Sequence, residues 1–172
     1  MSVAGSPPAA QHRSAQHAAT ASDTAGSTRT VVHRVRVEFG DCDPARIVWF
    51  PNYFRWIDAA GHHFFTQCGV PPWHVLEKST GILGTPLVDT HARFVATASY
   101  GDVLDIAVSV PEWRRSSFVL RHRVTRAAQD PQAPAQLILE CDEVRIFAAH
   151  RADHQPGIRA VPIPEDIRAL CS

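Results

Sequence analysis

From Val31 the chain alternates. Val35, Val37 and Phe39 face one way, and Arg34, Arg36 and Glu38 face the other, the pattern of a half-buried strand. From Pro51 to about Cys68 the period changes. Phe54, Ile57, Gly61, Phe64, Phe65 and Cys68 recur at helical spacing on one broad apolar face, which predicts a long helix. Ala59, Ala60 and Gly61 are small, so another element can approach this helix closely. Gly69 suits the position just past a helix end, and Pro71-Pro72 forbids continuation. A connector follows to Ser79, with a short helical turn around Trp73 to Lys78. Strands then dominate. Ile82, Leu83, Leu87, Val88, Phe94 and Val95 mark one between Gly81 and Ala98, broken at Gly84 and Pro86. Leu104, Ile106, Val108 and Val110 share a face of the next, Val103 to Trp113. A turn at Glu112 to Ser116 leads into Ser117 to Val124. Asp130-Pro131 and Pro134 mark a loop, and Leu137 to Phe147 is the last strand. Beyond His150 the chain is polar and Pro-rich, with a terminal turn at Pro164 to Leu170. About four strands follow the helix with no helix between them, so parallel crossovers are excluded. An α+β fold is expected: an antiparallel sheet of about five strands, curved around one long central helix.

Composition changes this picture little. The 172 residues suffice for one domain. Residues 1–28 are rich in Ala, Ser, Thr, Gln and His without any period, and are expected to be a disordered arm. The folded domain is expected over 29–172. Seventeen basic residues balance 17 acidic ones, so no global field favours nucleic acid or an anionic membrane. Cys42, Cys68, Cys141 and Cys171 match no zinc spacing. No apolar run approaches the ~18 residues that span a membrane, and the N-terminus lacks a signal-peptide core. A cytoplasmic protein is expected.

The chemistry concentrates between Phe39 and Tyr53. Pro44 biases Asp43 away from helical geometry, and Pro51 fits the first turn of the helix. Backbone N–H groups around Phe50 would then be free donors at the positive end of the helix dipole. A carboxylate close to such donors can act on a carbonyl whose oxygen they hold.

These stretches resemble the 4-hydroxybenzoyl-CoA thioesterases of the hotdog fold. The similarity runs through Phe-Gly-Asp-Cys-Asp-Pro-Ala at 39–45, Ile-Val-Trp-Phe-Pro-Asn-Tyr at 47–53 and Cys-Gly-Val-Pro-Pro-Trp at 68–73. It continues in Gly-Thr-Pro at 84–86, Thr-Ala-Ser-Tyr at 97–100, Glu-Trp-Arg-Arg at 112–115 and Asp-Glu-Val-Arg-Ile-Phe at 142–147. The resemblance implies a sheet wrapped round a central helix, dimers with sites at the interface, often paired into tetramers, and no metal or other cofactor. It implies that Asp43 is the catalytic carboxylate and that Phe50 offers its backbone N–H to the thioester oxygen. Trp49 would contact substrate. Asp58 would meet a ring hydroxyl, together with the backbone near Thr85 of a neighbouring subunit. Arg114, Arg115, Ser116 and Ser117 would hold the phosphates of CoA. There is no Glu between Glu38 and Glu77, which argues against the hotdog class that uses a helix Glu. Two positions depart from the pattern. Ser116 stands where close members have Lys, which implies either weaker CoA affinity or compensation by Arg151 or Arg159, and Arg46 stands where Gly is usual.

Other readings remain at this level. Without the resemblance, Asp43 is a turn residue, Asp58 a helix carboxylate paired with Arg55 or His62, and the two arginines a solvated turn. His62 and His63 point ~100° apart on a helix and make no metal site. The same scaffold serves short aliphatic acyl-CoA thioesters, and a hotdog domain can also be a non-catalytic binding module. Asp41-x-Asp43 also resembles the start of a Mg-dependent phosphatase motif, which needs alternating β and α units.

Overall fold

The computed structural model describes residues 28–127, 134–151 and 156–172. The expected disordered arm, but for Thr28, and most of the loop at Asp130-Pro131 lie outside the described residues. Strand β1 spans Thr30–Arg36, helix α1 Pro51–Gln67 and the short helix α2 Trp73–Thr80. The strands β2 Ile82–Gly84, β3 Leu87–Phe94, β4 Val103–Trp113, β5 Ser117–Arg126 and β6 Gln136–Ile146 follow. Five of them form one antiparallel sheet in the order β1-β4-β5-β6-β3. The expected α+β architecture, five strands against one long helix, is therefore observed.

Alternation builds the inner face of the sheet. Leu104, Ile106, Val108 and Val110 of β4 and Phe118, Leu120 and Val124 of β5 are buried. Helix α1 lays Ile57, Ala60, Phe64 and Phe65 against them. Gly61 permits the close approach: a Cβ there would sit 3.1 Å from Leu120 Cδ2. Glycine costs a helix interior about 1 kcal/mol, and here it leaves room for the Leu120 and His122 side chains of β5. Phe65, Trp73, Phe118 and Phe147 complete the core with ring contacts 5.4–6.4 Å apart.

The structure differs from the sequence pattern in three places. Strand β1 stops at Arg36, and Phe39 lies in a short 3-10 turn (Phe39–Asp41), 81% exposed, with its ring edge-on to Tyr100. On α1 the buried stripe is centred on Tyr53, Trp56 and Ile57, leaving Phe54 half-buried at its margin. The polar tail is structured. Strands β7 (Ala148–His150) and β8 (Ile158–Ala160) join β2 in a second, three-stranded antiparallel sheet. Helix α3 (Glu165–Cys171) then buries Ile167 and Cys171, with Ile163 one turn before. These three residues recur every fourth position, a helical stripe that the surrounding polar and proline residues mask. Arg29 ties this helix to the first, donating to Gln67 O at 2.8 Å and Leu170 O at 2.9 Å. A guanidinium at two helix C-termini satisfies carbonyls that the helices leave open.

On β1, His33 stacks on His63 of α1 with ring centroids 5.1 Å apart. Burial, and then the neighbouring imidazole, push the His33 pKa below its ordinary value. Protonation therefore favours the unfolded chain. The contribution is fully present above the unfolded pKa of about 6.5 and is lost as pH falls through the lower folded value. Melting temperature should drop from pH 7 to pH 5, and His33→Gln should make that drop smaller; an equal drop in both proteins would contradict the assignment.

Candidate active site

The turn before α1 is built on Asp41. Its Oδ2 accepts from Glu38 N–H at 2.9 Å and its Oδ1 from Arg55 Nη2 at 2.9 Å. Its carbonyl accepts from Trp49 N–H and Asn52 Nδ2, each at 2.9 Å. Asp41 thus fastens the turn to the first two turns of the helix, a structural role that the motif alone did not reveal. Asp43 follows on a tight loop. Its N–H donates to Ile47 O and its carbonyl accepts from Arg46 N–H, each at 2.9 Å. Its Oδ1 accepts from Ala45 N–H at 2.8 Å, the local bond expected of an Asp two residues before an amide. The other carboxylate oxygen makes no hydrogen bond among the described residues. Asp43 lines a cleft of about 580 Å³ with Phe39, Cys42, Arg46 and Tyr100.

Val48 N–H donates to Ala98 O at 2.8 Å, which anchors the loop exit to the sheet. Phe50 then adopts helical dihedrals (φ −51°, ψ −33°) ahead of Pro51. Trp49, Asn52 and Tyr53 all donate their N–H groups; Phe50 N–H makes no backbone hydrogen bond among the described residues. That N–H stands at the start of α1, directly ahead of Pro51. Both rings, Trp49 and Phe50, are more than half exposed. Phe50 borders a second cleft with Tyr53, Phe94 and Val95.

Asp58 lies elsewhere on the helix, in a cavity of about 590 Å³ that also includes Phe54, His62, Trp73, Thr85 and Arg145. Thr85 of the same chain lines this cavity beside it. A residue not singled out from the sequence joins them. Arg145 of β6 donates Nη2 to Asp58 Oδ1 at 2.9 Å and Nη1 to Thr85 O at 3.1 Å. Its Nε donates to Glu143 Oε2 at 2.8 Å, and that oxygen also meets His122 Nε2 at 3.1 Å. Arg145, Glu143 and His122 are buried. Burial disfavours the Glu143 carboxylate, but bonds from His122 and Arg145 outweigh it and hold its pKa below the usual range. Burial likewise opposes the Arg145 charge, and Glu143 and Asp58 more than restore it. Asp58 pairs neither with Arg55, which serves Asp41, nor closely with His62, at 3.8 Å. A signal existed in the sequence: His122, Glu143 and Arg145 fall on inward-facing strand positions, where charge needs a partner.

The β4–β5 turn carries Arg114 to Ser117. Arg114 donates to both carboxylate oxygens of Glu112, at 2.8 and 3.2 Å. Arg115 makes no ion pair among the described residues. The C-terminal segment grips this turn: Arg168 donates to Arg114 O at 2.7 Å and Ile163 N–H to Arg115 O at 2.9 Å. One chain thus keeps the carboxylate turn, the Asp58 cavity and the arginine turn in separate places.

A curved sheet around one helix, with a carboxylate turn at the helix start, defines a hotdog protein of the thioesterase class. A family model described as the thioesterase-like superfamily matches residues 37–170. The chain is 49% identical, over 84% of its length and 99% of the relative's, to a 4-hydroxybenzoyl-CoA thioesterase of Pseudomonas sp. strain CBS-3. It is also similar to a solved 4-hydroxybenzoyl-CoA thioesterase variant complexed with 4-hydroxybenzoyl-CoA (48% identity, 84% and 99% coverage, TM-score 0.77). A solved gentisyl-coenzyme A thioesterase is 32% identical, with 80% and 99% coverage and a TM-score of 0.65. The chain belongs to the 4-hydroxybenzoyl-CoA thioesterase family.

Arg46 lines the Asp43 cleft and has φ 65°, the one positive φ outside glycine among the described residues. The turn therefore keeps a left-handed geometry that costs a side chain about 1–2 kcal/mol. Arg46→Gly should raise unfolding stability by about 1 kcal/mol after the greater chain entropy of glycine is counted. A urea titration measures it, and a loss of stability would mean that the Arg46 side chain holds the turn.

Proposed function

We propose that the chain hydrolyses an aryl-CoA thioester, 4-hydroxybenzoyl-CoA foremost, to the free aromatic acid and CoA. The observation that carries the reading is the Asp43–Phe50 segment, in a chain 49% identical to a relative of that name. Among the described residues it offers a carboxylate oxygen without a hydrogen-bond partner and, seven residues on, a helix-start N–H without a backbone one. Phe50 N–H polarises the thioester carbonyl and takes up the charge that develops on its oxygen. Asp43 either attacks the carbonyl carbon to give a mixed anhydride or orients the water that does. The thiolate of CoA leaves in both cases, and neither route calls for a cofactor. Asp58 and Thr85 bound the cavity for the ring, and the exposed ring of Trp49 is a further substrate contact in this reading. The short aliphatic alternative gains nothing from a cavity that holds ionised groups, and the phosphatase alternative needs a parallel, alternating fold that the antiparallel sheet excludes.

Two further readings accompany this one. The sheet ends at β3, an edge strand with Leu87, Val88 and Phe94 about half exposed, and Val95 beside them. An apolar, unpaired edge of that kind supports pairing with a second copy. The dimer would join the carboxylate turn of one chain to the Asp58 cavity of the other, and two dimers make a tetramer. A cytoplasmic location fits four free cysteines; no described helix is long and apolar enough to cross a membrane.

Asp43→Asn keeps the turn's shape and removes the nucleophile or base. It should cut kcat more than tenfold, at least ~1.4 kcal/mol in barrier, with the circular dichroism spectrum unchanged. A variant retaining over a tenth of the wild-type kcat would remove Asp43 from the centre of the mechanism.

For CoA, the arginine turn gives an ordered expectation. Among the described residues Arg115 has no carboxylate to leave, while Arg114 must be drawn from Glu112. Arg115→Ala should therefore raise KM for CoA thioesters more than Arg114→Ala does, with neither changing KM for pantetheine thioesters that lack the nucleotide. Equal effects on both substrate types would place phosphate binding elsewhere.

A further inference from the structure

The loop that carries Asp43 is fixed on both sides of Arg46. Cys42 and Val48 face each other in an antiparallel bridge. Asp43 N–H donates to Ile47 O and Arg46 N–H to Asp43 O, each at 2.9 Å. Between these bonds Arg46 holds φ 65°, a conformation that glycine takes freely and that a side chain takes at a cost. Backbone held in a sparsely populated region beside a reactive group points to a role for the residue that bears it. The Arg46 side chain is exposed and shares the wall of the Asp43 cleft with Cys42 and the edge-on rings of Phe39 and Tyr100. It makes no ion pair among the described residues, although two carboxylates stand nearby in the chain. Asp41 is engaged by Arg55 and Glu38 N–H, and Asp43 Oδ1 by Ala45 N–H. The guanidinium therefore does not bind the resting Asp43 carboxylate, and is left to meet negative charge that enters or develops in the cleft.

We propose that Arg46 is a further catalytic residue, whose guanidinium receives the thiolate as it leaves the acyl group. The inference rests on the reading that Asp43 and Phe50 cleave a thioester. In that reading the carbonyl oxygen meets Phe50 N–H and the ring enters the Asp58 cavity. The sulfur is the remaining substituent of the carbonyl carbon, and the cleft that Asp43 and Arg46 share is what remains to hold it. When Asp43 attacks, its free oxygen forms a bond to carbon, the C–S bond breaks, and sulfur departs with the electron pair. Water then opens the anhydride and returns the Asp43 carboxylate, and its two protons end on the acid and on the thiol. When Asp43 instead takes a proton from water, the water oxygen forms the bond to carbon and the same electron pair goes to sulfur. On either route negative charge leaves Asp43 and arrives on sulfur. A cation that is not paired with Asp43 stabilises the second state more than the first, which is the condition for accelerating the step. A guanidinium suits this place because it stays charged at any working pH and is weakly hydrated.

The test is the rate of thiol release in a single turnover of the full-length protein, with three 4-hydroxybenzoyl thioesters. One is the CoA thioester, one the pantetheine thioester, which has the same alkyl thiol without phosphates, and one the thiophenol thioester, whose thiolate is far more stable and leaves unaided. Arg46→Gly and Arg46→Asn remove the charge and suit a positive φ, so the turn keeps its shape; Arg46→Lys keeps the charge. The Gly and Asn variants should release CoA and pantetheine about tenfold more slowly than wild type, and thiophenol within about twofold of it. Arg46→Lys should retain about a third or more of the wild-type rate on all three. Added guanidinium ion should restore part of the lost pantetheine release in Arg46→Gly and leave wild type unchanged. Equal losses on alkyl and aryl thioesters would mean that Arg46 shapes the turn, and a loss confined to KM for the CoA thioester would make it a phosphate ligand; either overturns the proposal. If wild type cleaves the thioesters and the variants match it, the role of Arg46 falls and the thioesterase reading stands. If wild type cleaves none of the three, that reading fails and takes the role of Arg46 with it.

Discussion

The contact of α1 with β5 at Gly61 governs the rest of the structure. A helix pressed that closely on a curved sheet has one fixed rotation about its own axis. Ile57, Phe64 and Phe65 are then buried, and Asp58 and His62, one turn apart, line the cavity at the flank of the helix, where Arg145 of β6 reaches Asp58. The same docking fixes where the helix begins, and with it the orientation of the Phe50 N–H. Asp41 completes the constraint by binding the preceding turn to Trp49, Asn52 and Arg55. The geometry of the candidate site and the packing of the core are consequently one problem in this chain: what moves the helix moves the Phe50 N–H, the Asp58 cavity and the carboxylate turn together.

The polar array behind the cavity runs against the logic of that core. Replacing a buried ion pair by well-packed apolar groups is often neutral or stabilising, and β6 places Glu143 and Arg145 where its neighbours Leu139 and Cys141 are apolar and buried. His122 adds an imidazole whose buried Nδ1 has no hydrogen-bond partner among the described residues. A stretch of sheet that departs from apolar packing three times within one cluster is supported by what the cluster reaches, the Asp58 carboxylate.

Much of this was legible in the residues. Alternation in β4 and the 3.6-residue stripe of α1 follow from burial alone, so the fold class could be read directly. Asp43 and Phe50 could be placed because Pro44 and Pro51 restrict the backbone on either side of them. Phe39 escaped the pattern because alternation does not mark where a strand stops, and the 3-10 turn turns its ring outward. The small sheet β2-β7-β8 escaped because its strands are three residues each, below the length at which a period of two can be seen. Arg145 escaped for another reason: its partners lie 60 and 87 positions away, and no local pattern joins residues that far apart.

The register of the sheet sets an order of assembly. Strands β4, β5 and β6 follow one another along the chain and pair as neighbours, so their loop-closure entropy is modest. Strand β1 must instead find β4 across α1, α2, β2 and β3, aligning Thr30 with Ser109 and Arg36 with Val103. Only then can Val37 exchange hydrogen bonds with Gly101 and Asp102 and the loop after it tighten. Long-range pairings of that kind form slowly. The carboxylate turn hangs from this strand, so the most distant pairing in the sheet is also the one that fixes it, and a chain in which β1 has not met β4 has not yet set the turn.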